Sequence, residues 1–83
     1  MFMTPEKLYR IGEVMQYSGL SRQTVHNYTL LGLIREVERT NGGHRLYGEG
    51  VFDRIRKIEE LKKSNTLKEI RRILDAEQTP NAQ

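Results

Sequence analysis

The chain contains no cysteine and no tryptophan, and only two of its 83 residues are proline. Without cysteine, neither disulfide bonds nor a thiolate-bound metal can stabilise the fold. No run of apolar residues is long enough to cross a membrane, and no signal-peptide pattern precedes the first helix. We therefore expect a cytoplasmic protein with no membrane partner. The two histidines lie far apart in the sequence, so we also expect no bound metal and no cofactor.

Length and charge bound the class of function. Eighty-three residues suffice for one small domain, near the size at which a hydrophobic core is only just adequate. The sequence contains no paired nucleophile and base, no metal-ligand constellation and no glycine-rich phosphate loop, so an enzyme is the least favoured class. The net charge of +3 points only weakly to nucleic acid, and the distribution of the basic residues matters more than their total.

The spacing of apolar residues predicts one folded domain at residues 8–75. A flexible N-terminus at residues 1–7 precedes it, and a flexible polar tail at residues 76–83 follows it. Neither an internal repeat nor a second domain is present. The sequence therefore predicts one small folded domain.

Two short helices separated by a turn of about three residues are predicted at the start of the domain. Ile11, Val14 and Met15 recur at the spacing of an inward helical stripe. Gly19 is expected to end this first helix, and Ser21 is a candidate N-cap for the second. This arrangement is typical of a helix-turn-helix.

The second helix is predicted to carry hydrogen-bonding side chains on its outward face. Val25 and Tyr28 recur at helical spacing and should face inward. The outward positions are Arg22, Gln23, His26 and Asn27. Such side chains can bond to base edges in the major groove of DNA.

A basic β-hairpin is predicted after the second helix. Residues 33–39 are rich in branched side chains, and Asn41-Gly42 is a strong signal for a tight two-residue hairpin turn. The chain then returns through His44, Arg45, Leu46 and Tyr47. Residues 8–10 could add a short strand beside this hairpin.

Two further helices are predicted after a loop at residues 48–50. The third has its apolar stripe at Phe52, Ile55, Ile58 and Leu61. Its basic residues are interleaved with acidic ones, which favours a solvated face: Arg54, Arg56, Lys57, Lys62 and Lys63. Thr66 and Glu69 form a capping-box signature for the fourth helix, whose N-terminus could hold a phosphate. The apolar stripe of that helix is Leu67, Ile70, Ile73 and Leu74.

Taken together, these patterns resemble the DNA-binding domain of the MerR family of bacterial transcription regulators, over roughly residues 9–74. The matching pieces are Ile11-Gly12-Glu13-Val14, Gly19-Leu20-Ser21, Thr24-Val25, Tyr28, Gly32-Leu33-Ile34, Arg39, Gly43-His44-Arg45-Leu46-Tyr47, Arg54, Ile55, Ile58, Leu67, Glu69-Ile70 and Leu74. The resemblance implies a mainly α fold with a small β-hairpin, a winged helix-turn-helix of about four helices plus a two-stranded wing. It also implies that the second helix and the wing contact double-stranded DNA.

The resemblance suggests a role for each wing residue. Arg45 is the first candidate for a phosphate or minor-groove contact, and Arg39 is expected to help across the hairpin. Tyr47 either donates its hydroxyl to a phosphate or lies in the core. His44 is interpreted as a hydrogen-bonding or phosphate-facing residue. The full candidate DNA-binding set is Arg22, Gln23, Thr24, His26, Asn27, Tyr28, Arg39, His44, Arg45 and Tyr47.

Three residues of the second helix depart from the family pattern, which has arginine, an aromatic residue and glutamate at the positions of His26, Asn27 and Thr29. Asn27 could pair with adenine or bind only to a phosphate or to the preceding turn. His26 is expected to face a phosphate less firmly than an arginine would.

The resemblance leaves alternatives open. We expect dimerisation only on DNA or through residues absent from this chain, because sensing members of the family carry a dimerising helix beyond this domain. RNA polymerase at a promoter is a further candidate partner. The chain could be an excised domain or a minimal member of the family. The alternative functions are a DNA-architectural accessory factor of a phage or mobile element, acting in recombination or packaging, and a protein-interaction module.

Overall fold

Four helices and three short strands make up residues 7–78, the part of the chain that this computed structural model describes. The helices are α1 (Ile11–Ser18), α2 (Arg22–Leu30), α3 (Gly50–Leu61) and α4 (Leu67–Gln78). The strands are β1 (Tyr9–Arg10), β2 (Glu38–Arg39) and β3 (Arg45–Tyr47). The fold predicted from the sequence, a mainly α winged helix-turn-helix, is confirmed.

The two predicted flexible ends lie largely outside the described residues. Residues 1–6 and 79–83 are not among the described residues, so for them the predicted flexibility stays a prediction. Helix α4 continues to Gln78, so the domain boundary predicted at residue 75 falls inside a helix.

The turn between α1 and α2 has the predicted geometry. Helix α1 ends at Gly19, which adopts a left-handed φ of 80°. The Ser21 hydroxyl then accepts the backbone N–H of Thr24 at 3.1 Å, as expected of an N-cap. These contacts fix the direction in which α2 leaves the turn.

The wing is part of a three-stranded antiparallel sheet with the order β1-β3-β2. Tyr9 pairs with Tyr47, and Arg39 pairs with Arg45. The strand predicted at residues 8–10 is therefore confirmed beside the hairpin. Strand β1 leads directly into α1, and this connection ties the wing to the helix-turn-helix.

The hairpin loop corrects one prediction. A two-residue turn on Asn41-Gly42 would require positive φ at both central residues, yet neither has it. Gly43 takes the left-handed conformation instead, with φ of 88°. Thr40 accepts the N–H of Gly43 at 2.9 Å and donates its own N–H to the carbonyl of His44 at 2.9 Å. The loop is thus one residue longer and closes with a glycine bulge.

A single hydrophobic core joins the helices, the wing and the segment after α2. Its members include the predicted inward residues Val14, Val25, Ile55, Ile58, Ile70 and Leu74. Tyr28 and Tyr47 supply the largest buried side chains, at 2% and 0% exposure. The apolar stripes predicted for all four helices are confirmed, because each contributes at least one of these residues.

A capping box starts α4, and a side-chain hydrogen bond joins α3 to the segment after α2. The predicted capping box is confirmed: the Thr66 N–H donates to Glu69 Oε1 at 2.8 Å, and the Glu69 N–H donates to the Thr66 hydroxyl at 3.1 Å. Arg54 is not part of a solvated face, because its Nε donates to the carbonyl of Leu33 at 2.6 Å. That bond anchors the segment after α2 on α3.

Candidate nucleic-acid interface

A cleft of about 750 Å³ runs between α2, the start of α1 and the wing. Its cationic side chains are Arg10, Arg22, Arg39 and Arg45, and two histidines, His26 and His44, lie among them. Glu13 is the acidic side chain on the lining. The cleft therefore has the positive charge that a DNA backbone requires.

The outward face of α2 presents two amide side chains, and the first of them, Gln23, lines the cleft. Gln23 and Asn27 are exposed, and the Gln23 amide nitrogen donates to the Asn27 side-chain oxygen at 3.0 Å. This bond leaves the Asn27 amide nitrogen as a donor and the Gln23 oxygen as an acceptor. A donor beside an acceptor is the pattern that the major-groove edge of a base pair can match. Arg22, also exposed, stands at the N-terminal end of the same face.

Thr24 lies in the cap that starts α2. Its backbone N–H donates to the Ser21 hydroxyl, and its own hydroxyl accepts from that group at 2.9 Å. The capping interpretation therefore accounts for the Thr24 side chain as it stands. A phosphate contact from Thr24 stays a prediction.

The two tyrosines among the candidate residues are buried and do not line the cleft. The Tyr28 hydroxyl donates to Glu59 Oε2 at 2.7 Å and accepts from Lys62 at 3.1 Å, which fastens α2 to the end of α3. Burial raises the pKa of Tyr28 above its ordinary value, and the hydrogen bond to Glu59 acts in the same direction. The Tyr47 hydroxyl lies 2.7 Å from the Thr29 hydroxyl and joins the wing to α2.

Both tyrosines therefore join the elements that carry the interface. For Tyr47 it favours the core interpretation over direct phosphate donation. The site prediction for Tyr28 has no geometric support in the unbound protein, because its hydroxyl already has a donor and an acceptor within the fold.

His26 lines the cleft, but it is less exposed than its predicted outward position suggested. It is half-buried, and its Nδ1 lies 3.3 Å from Nη1 of Arg45, across the gap between α2 and the wing. The sequence pattern could not show this contact, since it depends on where the hairpin folds back. His26 therefore links the second helix to the wing, while His44 stays exposed near the hairpin loop.

Both wing arginines bind one carboxylate that sequence reasoning missed. Arg39 Nε donates to Glu36 Oε2, and Arg45 Nε donates to Glu36 Oε1 at 2.7 Å. The hydrogen bond from Arg39 is the largest cause that lowers the pKa of Glu36, and the bond from Arg45 adds to it. Glu36 is consequently an anion at neutral pH. The i, i+3 spacing from Arg39 was the one available signal in the sequence.

Arg10 is a second missed residue. It ends β1, opposite Leu46 of the wing, and its side chain lines the cleft. The predicted strand at residues 8–10 was a usable signal, because a strand paired with the wing must bring its own side chains to the same surface.

Metal and membrane sites find no support in the described structure. Across residues 7–78, no three histidine or acidic side chains come together in a group that could hold a metal ion. Among the helices of that same segment, none has the length and apolar character needed to cross a membrane.

Comparison with known proteins identifies the family. The family model described as MerR family regulatory protein matches residues 10–47, from β1 through the wing. The crystal structure of the N-terminus of MtaN, the Bacillus subtilis multidrug transporter activator, superimposes with a TM-score of 0.76 at 32% identity. That match covers 81% of this chain and 64% of the other. The chain carries the DNA-binding domain of the MerR family.

Curated MerR-type relatives agree with this assignment. The nodulation protein NolA of Bradyrhizobium sp. (strain NC92) is 40% identical over 68 residues, which are 81% of this chain and 29% of NolA. The mercuric resistance operon regulatory protein of Bacillus cereus is 39% identical over 67 residues, 80% of this chain and 51% of that protein. The chain thus spans about half or less of the length of these relatives.

Proposed function

We propose that this MerR-family domain binds double-stranded DNA at a specific sequence as the DNA-binding part of a transcription regulator. Helix α2 enters the major groove, and the wing grips the adjacent backbone or minor groove. The observation that carries this proposal is the cleft in which Gln23, whose amide bonds to Asn27, lies on the same lining as the wing arginines. Amides suit base edges and guanidinium groups suit phosphates, so one surface offers both kinds of contact.

The roles divide by chemistry. Asn27 and Gln23 read base edges, because their free donor and acceptor point away from the core. Arg22, Arg39 and Arg45 hold phosphates, with His44 and the newly identified Arg10 beside them. Tyr28 fastens α2 to α3, Tyr47 joins the wing to α2, and Thr24 lies in the cap that starts α2. His26 adds the direct link between helix and wing.

Partners beyond DNA belong to the same proposal. We place dimerisation on DNA or in residues outside this chain, because the described helices leave no heptad seam for a coiled coil. RNA polymerase at a promoter is the expected functional partner of such a regulator. The expected location of both proteins is the bacterial cytoplasm, where the DNA lies.

Transcription regulation is favoured over the alternatives of an architectural factor or a protein-interaction module. The Bacillus cereus relative is a regulatory protein of an operon, and the Bacillus subtilis structure is that of an activator. An enzyme is not favoured by relatives of this kind. The proposal for this chain rests on those likenesses together with the cleft.

The decisive experiment is selection of bound duplexes from a random DNA pool, followed by titration at several salt concentrations. We expect an enriched site, whose symmetry reports whether the chain binds a single half-site, a palindrome or a direct repeat. Affinity should fall steeply with salt, because phosphate contacts release counterions. Salt-sensitive binding without any enriched sequence would favour the architectural factor. Absence of binding at low salt would leave only the protein-interaction module.

A further inference from the structure

We propose that Glu36 is a positioning residue of the DNA interface: it holds Arg39 and Arg45 so that their outer guanidinium nitrogens face the cleft. This inference rests on the proposed function. It assigns a constructive role to an acidic side chain on a surface that must bind a polyanion.

The first argument is which atoms meet. Each oxygen of the Glu36 carboxylate accepts from the Nε of a different arginine, Oε2 from Arg39 and Oε1 from Arg45. Nε is the inner nitrogen of a guanidinium group, so both groups are held at the base. A second bond from Arg39, Nη2 to Oε1 at 3.5 Å, is at the limit of hydrogen bonding. Terminal nitrogens of both guanidinium groups, Arg39 Nη1 and Arg45 Nη2, are left for a ligand.

The second argument is where the residues lie. Arg39 and Arg45 line the cleft, whereas Glu36 does not line it and its side chain is 26% exposed. Arg45 has a further anchor, because its Nη1 contacts His26 Nδ1 at 3.3 Å. Its guanidinium is therefore fixed from the wing side by Glu36 and from α2 by His26. Across residues 7–78, the Nη2 group of Arg45 has no hydrogen-bond partner.

The third argument is electrostatic. Arg39 and Arg45 pair across the hairpin, and two guanidinium groups held so close repel each other. A carboxylate between them offsets that repulsion and restricts two long side chains to one geometry before DNA arrives. Arginine otherwise loses considerable rotamer freedom when it is ordered, so this restriction lowers the entropic cost of a phosphate contact.

A competing interpretation predicts the opposite sign. Carboxylate and phosphate bind the same donors, so Glu36 could instead compete with DNA for the arginines. Such a competitor would have to occupy the terminal nitrogens that a phosphate needs. The short bonds of Glu36 are to the inner Nε atoms, which favours the positioning role.

The test is the Glu36→Gln variant of the whole chain, with Glu38→Gln as the matched control. Both changes remove one negative charge from the same hairpin, but Glu38 is exposed and lies on β2 one residue before Arg39. Glutamine is neutral and replaces one of the two acceptor oxygens by an amide group that only donates, so it cannot hold both Nε groups as the carboxylate does. We expect Glu36→Gln to bind DNA roughly threefold more weakly than Glu38→Gln, since one of two oriented contacts is lost.

A double-mutant cycle separates positioning from a general change in charge. Arg45→Ala is made in the natural, Glu36→Gln and Glu38→Gln backgrounds, and DNA affinity is measured in each. We expect a loss of about tenfold in the natural and Glu38→Gln backgrounds, falling to roughly twofold in the Glu36→Gln background, because Arg45 is already misplaced there. Glu36→Ala is measured in parallel and should reproduce the reduced coupling. Thermal melting followed by circular dichroism establishes that each variant is folded.

Three results would overturn the inference. Tighter binding by Glu36→Gln than by Glu38→Gln, with a larger Arg45→Ala loss, would make Glu36 a competitor. An Arg45→Ala loss that is equal in all backgrounds would leave Glu36 without a role in binding. Unfolding of both Glu36 variants would make the residue a determinant of stability instead. Each of these results differs from the result expected if the proposed function is wrong, because in that case the unchanged chain would bind no duplex at all.

Discussion

Replacement of Arg45 by alanine is the most direct test of the wing. The change removes a guanidinium group that lines the cleft, together with its contacts to Glu36 and His26. The side chain of Arg45 is only 25% exposed, so it is held by the fold before DNA arrives. Arg39 remains as a partner for Glu36, so no carboxylate is left unpaired by the substitution.

The expected loss follows from one charge-assisted contact. A hydrogen bond to a charged group contributes about 1.5–3 kcal/mol, and the lower end, about tenfold in affinity, suits a surface group in contact with water. One phosphate contact also contributes about 0.9 to the slope of log affinity against log salt. The deficit of Arg45→Ala should therefore shrink by roughly threefold when salt is raised from about 50 to 200 mM.

The assay is a fluorescence-anisotropy titration of labelled duplexes at several salt concentrations. Arg56→Ala serves as the control, because Arg56 carries the same charge on α3, is 70% exposed and pairs with Asp53. The loss from Arg45→Ala should be similar for all duplexes, since a phosphate contact positions without specifying sequence. An equal loss from Arg56→Ala, or a deficit that does not change with salt, would refute the assignment of Arg45 to the DNA backbone.

The remaining predictions concern reading, folding and assembly. Asn27→Ala should relax base preference at one position of the half-site by about 1–3 kcal/mol, measured on a panel of single-base substitutions; a uniform loss across the panel would mean that Asn27 only positions α2. Gly32→Ala should lower the melting temperature by roughly 5–15 °C, because Gly32 has φ of 78° and its added Cβ would lie 3.0 Å from Arg71 Cζ. Gly12→Ala, where the added Cβ meets nothing within 4 Å in α1, should raise it slightly, and equal shifts would contradict this account. Dialysis against a chelator should leave DNA binding unchanged, and binding restored by one added metal would contradict that expectation. Sedimentation without DNA should show a monomer, and a tight dimer would overturn the proposal that pairing needs DNA or further residues.

Local sequence signals were sufficient for most of the fold. Ser21, the Thr66–Glu69 pair and Gly19 mark helix ends through bonds or dihedral angles that involve only near neighbours in the chain. The apolar stripes were also predicted correctly, since helical periodicity alone decides which side chains share a face. The hairpin was located correctly, but its turn was not, because three consecutive residues, Asn41 to Gly43, can each supply turn geometry and only Gly43 adopts the left-handed one.

The candidate site was predictable in outline and not in its contacts. Arg39, Arg45 and the outward face of α2 were recognised because residue type and predicted face are local properties. Whether a hydroxyl or ring points to solvent is not local. Tyr28 was a candidate for DNA contact, and Tyr47 was a candidate for DNA contact or for the core. Both side chains are buried, and the partners of their hydroxyl groups, Glu59 and Thr29, are distant in sequence. A DNA contact from either tyrosine stays a prediction.

By itself, the sequence determined that the chain forms helices and a basic hairpin with a helix-turn-helix spacing, and these suffice to recognise the family. Only the tertiary structure decided how the cationic groups are arranged. It brought His26 of α2 to Arg45 of the wing and paired Glu36 with both wing arginines. The physical reason is that helix and turn signals act over a few residues, whereas these contacts join segments whose meeting depends on the packing of the whole core.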